Sequence, residues 1–73
     1  MTINRVEINP KIMLGKPVIK GTRIPVELIV RKLSEGTPEA ALLEAYPHLT
    51  VEDIRAALAY AANAIAHETI ILD

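Results

Sequence analysis

The positions of glycine and proline limit how long any helix or strand can be in most of this chain. Both residues interrupt regular structure, and they recur throughout residues 1–47. The longest uninterrupted piece of that part is residues 26–35, whereas residues 48–73 run on without either residue. These breaks predict short elements joined by tight turns, followed by one longer helix.

Between these breaks, the apolar residues follow the period of a strand first and that of a helix afterwards. Residues 5–9 and 17–20 are β-branched or alternate with polar residues, which predicts two short strands. Residues 26–33 carry apolar side chains at helical spacing, and Pro25 suits the first turn of that helix. Gly36 occupies the position of its C-terminal cap.

Two further helices are predicted after tight connections. Thr37 caps a short second helix that starts at Pro38 and that Pro47 ends. Thr50 caps the third helix, and Asp53 stands three residues later in the reciprocal position of a capping box. The predicted core-facing residues of the third helix are Ile54, Leu58, Ala61 and Ile65.

The predicted fold is a single, mainly α domain over residues 1–73. Basic β segments and a turn (1–24) precede a three-helix bundle (25–67) with helix-turn-helix-like, homeodomain-like topology. The apolar "TIILD" predicts a short C-terminal strand within 68–73. A chain of 73 residues without cysteine buries only a small core, so we expect it to form a homo-oligomer or to bind a partner.

The sequence carries no feature of a membrane or secreted protein. The N-terminus lacks the apolar run of a signal peptide, and no stretch approaches the roughly 20 apolar residues that cross a bilayer. We therefore expect a cytoplasmic protein without a membrane partner.

The stretch "GKPVIKGTRIP" resembles a phosphate-binding loop only superficially. A nucleotide-binding P-loop places its lysine after the second glycine, whereas Lys20 precedes Gly21 here. His48 and His67 stand far apart in a chain without cysteine, and neither has the spacing of a zinc site. We therefore expect no enzymatic activity, no metal and no cofactor.

Charge is distributed unevenly along the chain. Residues 1–24 carry five basic residues and one acid, whereas residues 25–73 carry three basic residues and eight acids. This asymmetry predicts an acidic partner for the N-terminal part, although ordinary solvated charge also explains it. The two acids at the start of the third helix would be repelled by DNA phosphates, which argues against this helix as the element that reads the bases. The candidate DNA contacts are Lys16, Lys20, Thr22, Arg23 and Arg55.

Alanines recur along the third helix and predict a smooth outer face. Such a face permits close approach of another chain, although the high helix propensity of alanine also explains the pattern. Together with the apolar end of the chain, it predicts a surface for a partner or for self-association. Its candidate residues are Ala56, Ala59, Ala62, Ala66, Ile70, Ile71 and Leu72.

Two runs of the sequence resemble a known family. They are "NPKIMLGKPVIKGTRIPVELIVRKLSEG" and "YPHLTVEDIRAALAYA", within about residues 8–62, and they resemble domain of unknown function 433. The positions that match the family pattern are Gly15, Lys16, Pro17, Gly21, Thr22, Arg23, Pro25, Tyr46, Pro47, Leu49, Asp53, Ile54 and Tyr60.

The resemblance implies a fold and a function. Members resemble homeodomain-like or winged helix-turn-helix domains, and many look like antitoxins of type II toxin–antitoxin pairs, beside toxins similar to PIN-domain ribonucleases. The resemblance implies that this chain is an antitoxin-type component that binds a PIN-like ribonuclease toxin, double-stranded operator DNA, or both. Two alternatives remain open at this point: a stand-alone helix-turn-helix transcriptional regulator, and a protein–protein adaptor that binds no nucleic acid.

Overall fold

Three short strands precede three helices in the computed structural model, which describes residues 5–67. The strands are β1 (Val6–Glu7), β2 (Val18–Ile19) and β3 (Ile24–Pro25), and the helices are α1 (Val26–Ser34), α2 (Glu39–Ala45) and α3 (Val51–Ala66). The three predicted helices and the preceding β segments are confirmed, and the helices hold most of the regular structure. The C-terminal strand predicted within 68–73 lies outside the described residues.

The strands form a small antiparallel sheet in the order β1–β2–β3. Ile19 in the central strand pairs with Val6 on one side and with Ile24 on the other. The sequence did not predict β3, because Pro25 was read only as the start of a helix. Proline is compatible with this position because β3 is an edge strand, where a missing amide costs no ladder hydrogen bond.

The turn between β2 and β3 (residues 20–23) is closed by a side chain as well as by the backbone. The Thr22 hydroxyl donates to the Ile19 carbonyl at 2.8 Å and accepts from the Ile24 amide at 3.0 Å. Arg23 adopts a left-handed conformation with φ of 59° to complete the turn. Thr22 therefore fixes the conformation from which the neighbouring basic side chains project.

The connection between α1 and α2 follows the rules of helix termination. Gly36 has φ of 92° and donates its amide to the Leu33 carbonyl at 3.1 Å, while the Thr37 amide donates to the Lys32 carbonyl at 3.0 Å. These two bonds make a Schellman motif and confirm the predicted cap. The prediction that Thr37 caps α2 is wrong, because Pro38 holds that position without a side-chain hydrogen bond.

The core lies where α1 and α3 pack together over the sheet. α3 also contacts β1, and α1 contacts β3. From α2 and the connection after it, Leu42 and Leu49 complete the interior. The buried cluster consists of Ile19, Ile24, Val26, Ile29, Leu42, Leu49, Ile54 and Ala57.

The buried face of α3 differs from the predicted one. Ile54 and Ala57 are completely buried as part of the core, but Leu58 is 43% exposed and Ile65 is 60% exposed. The prediction is therefore wrong for these last two residues. At 3.6 residues per turn, the observed face is rotated by roughly a quarter turn from the predicted one. Alanine side chains on that face permit α1 to approach closely, which a pattern of large apolar residues does not reveal.

Asp53 is a buried charged residue, with 6% of its surface exposed, and both of its carboxylate oxygens are used. One oxygen accepts from the Thr50 amide and the other from the Arg5 guanidinium, each at 3.1 Å. The Thr50 hydroxyl accepts from the Asp53 amide at 3.1 Å, which confirms the predicted capping box. Because Arg5 directly precedes β1, this carboxylate ties the sheet to the start of α3.

Replacing Asp53 by alanine should destabilise the domain by about 2–3 kcal/mol, because hydrogen bonds to charged groups contribute about 1.5–3 kcal/mol. The matched control is Glu52→Ala, which removes the neighbouring exposed acid in the same helical turn. An exposed substitution of this kind should change stability by less than about 0.5 kcal/mol. Urea unfolding measures both values, and equal losses for the two variants would contradict the assignment.

Candidate functional site

The β2–β3 turn and the connection between α2 and α3 form one surface of the molecule. They line a shared open cleft of about 310 Å³. The residues of the turn side are Gly21, Thr22 and Ile24, and those of the helix side are Ala45, Tyr46, Pro47 and His48. A partner seated at this cleft would therefore touch both the basic turn and the helical connection.

The start of α3 lies beside the same turn. The Lys20 amide donates to the Arg5 carbonyl at 2.8 Å, and the Arg5 side chain reaches the capping-box carboxylate of Asp53. These contacts run from the turn through Arg5, which directly precedes β1, to the first turn of α3. The sheet, the basic turn and the helix N-terminus thus converge at one end of the domain.

Three basic residues belong to the segments that meet here, at what we call the basic end: Arg5, which precedes β1, and Lys20 and Arg23, which flank the tip of the β2–β3 turn. Lys20 and Arg23 are exposed, and the Arg5 side chain is 45% exposed. The Asp53 carboxylate faces inward and is paired, so of the two adjacent acids in α3 only Glu52 faces solvent. The surface at the start of α3 is therefore less acidic than the sequence indicates.

The five predicted DNA contacts do not form one cluster. Lys20, Thr22 and Arg23 lie together in the turn, but the Thr22 hydroxyl is occupied by the bonds that close it. Lys16 lies beside α1, with its ammonium 3.9 Å from the Glu27 carboxylate. Arg55 is exposed on α3. The sequence reading missed Arg5, because its role depends on a partner 48 positions away.

The predicted alanine face of α3 is present only in part. The assignment of Ala56 to an outer face is wrong, because this residue is completely buried on the side that faces the core. Ala59 is half-buried, whereas Ala62 and Ala66 are exposed. The other predicted members, Ile70, Ile71 and Leu72, lie outside the described residues.

A second concavity, which we call the α1–α3 groove, lies between those two helices. It has a volume of about 390 Å³ and was not predicted from the sequence. Apolar side chains make most of its lining, and an ion pair stands at its rim. The lining residues are Pro17, Val26, Glu27, Val30, Arg31, Ser34, Tyr60 and Ala61.

The rim of this groove carries a charge cluster centred on Glu27. The Arg31 guanidinium donates to its carboxylate at 2.6 Å, one helical turn away. This hydrogen bond and then the charge of Arg31 lower the pKa of Glu27 below its ordinary value, and the charge of Lys16 lowers it further. The same pairing raises the pKa of Arg31.

Within residues 5–67, no three His, Asp or Glu side chains come together as a metal site would require. Among the helices in that range, none is long and apolar enough to span a bilayer.

Comparison with known proteins places the chain in a family. Residues 6–61 match the family described as "Protein of unknown function (DUF433)". A crystal structure at 2.00 Å resolution of a DUF433 member protein from Anabaena variabilis superimposes with a TM-score of 0.81 and 38% sequence identity. The match covers 86% of this chain and 62% of the Anabaena chain. The chain therefore belongs to the DUF433 family, and its fold is that of the Anabaena member.

Two further relatives are described only as uncharacterized proteins. One, y4eO of Sinorhizobium fredii, is 42% identical over 53 residues, which are 73% of this chain and 24% of that protein. The other, from Archaeoglobus fulgidus, is 59% identical over 29 residues, which are 40% of this chain and 81% of that protein. The chain thus spans about a quarter of the length of the Sinorhizobium relative.

The charge cluster at the groove rim predicts a pH dependence. Folding lowers the pKa of Glu27, so the ionised carboxylate stabilises the folded state at pH values above its unfolded pKa of about 4.3. This stabilisation is lost as the pH falls through the folded pKa of Glu27. NMR titration of the carboxyl carbon should show this lowered pKa, and Arg31→Gln should raise it toward the ordinary value. Arg55→Gln, which removes another exposed guanidinium, should leave the pKa of Glu27 unchanged. An unchanged value in Arg31→Gln would contradict the pairing.

Proposed function

We propose that this chain is an antitoxin-type component of a type II toxin–antitoxin pair, and that its basic end contacts operator DNA. The observation that carries the proposal is that the β2–β3 turn, which contains Lys20 and Arg23 and is bonded to Arg5, shares a cleft with the α2–α3 connection. Cations on a turn contact phosphates, while an adjoining helix is placed against the grooves.

The geometry of the turn favours close contact with a phosphate backbone. Gly21 has φ of 78°, and no atom beyond its own and those of its two chain neighbours lies within 4 Å of the position where a side chain would begin. The backbone at the tip of the turn is therefore uncrowded, and Lys20 and Arg23 flank it. Phosphate contacts of this kind fix the position of a protein on a duplex without reading its sequence.

A helix-turn-helix role for α2 and α3 is part of the proposal. The main objection from the sequence is the pair of acids at the start of α3, which repel phosphates. Burial of the Asp53 carboxylate against Arg5 removes half of that objection. Arg55, which is exposed on the same helix, then supplies a hydrogen-bond donor for the edge of a guanine base in the DNA.

The antitoxin role rests on the family resemblance and on charge. A PIN-like ribonuclease holds its metal in an acidic cleft, and the cations of the basic end are complementary to such a surface. In this proposal the toxin and the operator compete for the same end. Self-association of the chain uses the exposed residues of α3. A stand-alone transcriptional regulator would bind DNA through the same end and would differ from this antitoxin only by lacking a toxin partner.

A protein–protein adaptor is the second candidate, and the apolar exposure of α3 favours it. Leu58 and Ile65 are large side chains at helical spacing that are 43% and 60% exposed. Exposed apolar residues in one stripe mark a surface for another chain. This candidate predicts partner binding that does not depend on the basic end.

The double substitution Lys20→Ala/Arg23→Ala tests the proposal. Fluorescence anisotropy on the duplex upstream of the protein's own gene, over a salt series, should show binding that weakens linearly with log salt. Because each lost phosphate contact lowers the slope by about 0.9, the variant should have a slope lower by about 1.8 and bind roughly tenfold more weakly at ~0.1 M salt.

The matched control is Lys11→Ala/Lys32→Ala, which removes the same charge outside the basic end. It should retain most of the affinity, and both variants should keep the circular dichroism of the parent. Equal losses in the two variants would show that only net charge matters. Absence of binding by the parent at ~50 mM salt, where electrostatic attraction is strong, would overturn the DNA-binding proposal and favour the adaptor.

A further inference from the structure

We propose that a second copy of this chain docks on the α1–α3 groove, with Leu14 of each copy seated in the groove of the other. Leu14 lies between β1 and β2, three residues before Pro17, which lines the groove. The Cα atoms of these two residues are therefore at most about 11 Å apart. When a projecting side chain and a concavity share one surface, a twofold axis between them lets each copy fill the other's concavity.

Leu14 is held in water by an unfavourable backbone conformation. Its side chain is 95% exposed, the highest value among the large apolar residues of the described range. Leu14 and the preceding Met13 both have left-handed backbones, with φ of 57° and 53°. Such values are uncommon for residues other than glycine, and they persist where the conformation serves a function. A second copy that covers Leu14 accounts for both the strain and the exposure.

The groove suits a leucine side chain in size and in polarity. Its volume is about 390 Å³, and a cavity of roughly 150 Å³ holds a benzene-sized group. Val26, Val30 and Tyr60 supply its apolar lining. The groove therefore accommodates Leu14 with space for part of a neighbouring side chain such as Met13.

The apolar surface of α3 continues beyond the groove. Ala61 lines the groove, and Leu58 and Ile65 stand three residues before it and four residues after it. Residues at this spacing share one face of a helix. A second copy on the groove thus covers these exposed residues too, which specifies the self-association proposed above. This inference does not depend on the DNA or toxin contacts, because those lie at the basic end.

Four charged side chains along the groove form a row, which we call the rim row. Lys16 lies beside Glu27, whose carboxylate accepts a hydrogen bond from Arg31. The charge of Glu35, at the C-terminal end of α1, acts in turn on Arg31. The row therefore alternates in sign, and its two bases and two acids cancel.

An alternating row of four charges is complementary to its own reversed copy. A twofold axis through the middle of the rim row sets Lys16 of one copy opposite Glu35 of the other. The same axis sets Glu27 opposite Arg31, so that every facing pair has opposite signs. It also brings Leu14, which directly precedes this row in the chain, to the far end of the other copy's groove. A strongly acidic or basic partner has no such match, so charge favours a second copy as the occupant.

Leu14→Asn separates association from folding. Asparagine adopts the left-handed conformation more readily than leucine, so this variant should unfold in urea at least as late as the parent. Sedimentation equilibrium from roughly 1 µM to 1 mM should show the parent passing from monomer to dimer, as a small interface predicts. Leu14→Asn should raise the Kd about tenfold or more, whereas Leu14→Met should stay within about threefold of the parent.

The absence of a parent dimer at ~1 mM would overturn the proposal, and so would an unchanged Kd in Leu14→Asn. The basic-end variant Lys20→Ala/Arg23→Ala is the matched control, because neither residue lines the groove. It should dimerise as the parent does, so that the DNA-binding proposal and this one can fail separately. Loss of the dimer in this control would also contradict the proposal and would place the interface at the basic end.

Two charge reversals test the pairing of the rim rows. Glu27→Arg and Arg31→Glu each set like charges opposite one another in the homodimer, and each should raise the Kd roughly tenfold. An equimolar mixture of the two variants should form a heterodimer with about the affinity of the parent. In that heterodimer a row with three bases faces a row with three acids, and every facing pair is again opposite in sign. Mixing leaves the charges within each chain unchanged, so an effect on folding does not explain the recovery. A mixture that stays as monomeric as its components would overturn the proposal.

Discussion

The carboxylate of Asp53 joins the N-terminal part of this small domain, which contains the sheet, to the start of α3. Its oxygens bind the Thr50 amide at the start of α3 and the Arg5 guanidinium before β1. A buried acid is costly unless it is paired and hydrogen-bonded, and here both conditions are met. The sheet thereby has a fixed position relative to α3. The basic turn that joins β2 and β3 is fixed together with the sheet.

The same interaction changes the electrostatics of the surface. An acid that the sequence places at the start of α3 turns inward, and the cation that neutralises it comes from the N-terminal part of the chain. Lys20 and Arg23 then stand beside this pair without a facing ion pair of their own among the described residues. A chain with a formal net charge of −1 thus presents one locally basic end, which makes the proposed phosphate contacts physically reasonable.

Local rules predicted much of this fold, and long-range contacts account for what they missed. Gly36, Pro47 and the Thr50 capping box act within a few residues, so helix bounds were predictable. The rotation of the α3 face was not predictable, because it depends on how closely α1 approaches its alanines. Of the candidate site, the turn was predictable from its basic residues and glycine. The contribution of Arg5 required knowledge of a contact across the fold.

An NMR titration of the ¹⁵N-labelled protein with the duplex from upstream of its own gene tests the central claim most directly. The account predicts that the largest chemical-shift changes fall on the amides of residues 20–23 and 48–52, which belong to the segments that meet at the basic end. Changes centred instead on Val30, Ser34 and Tyr60 of the α1–α3 groove would contradict it, as would a spectrum that the duplex leaves unchanged.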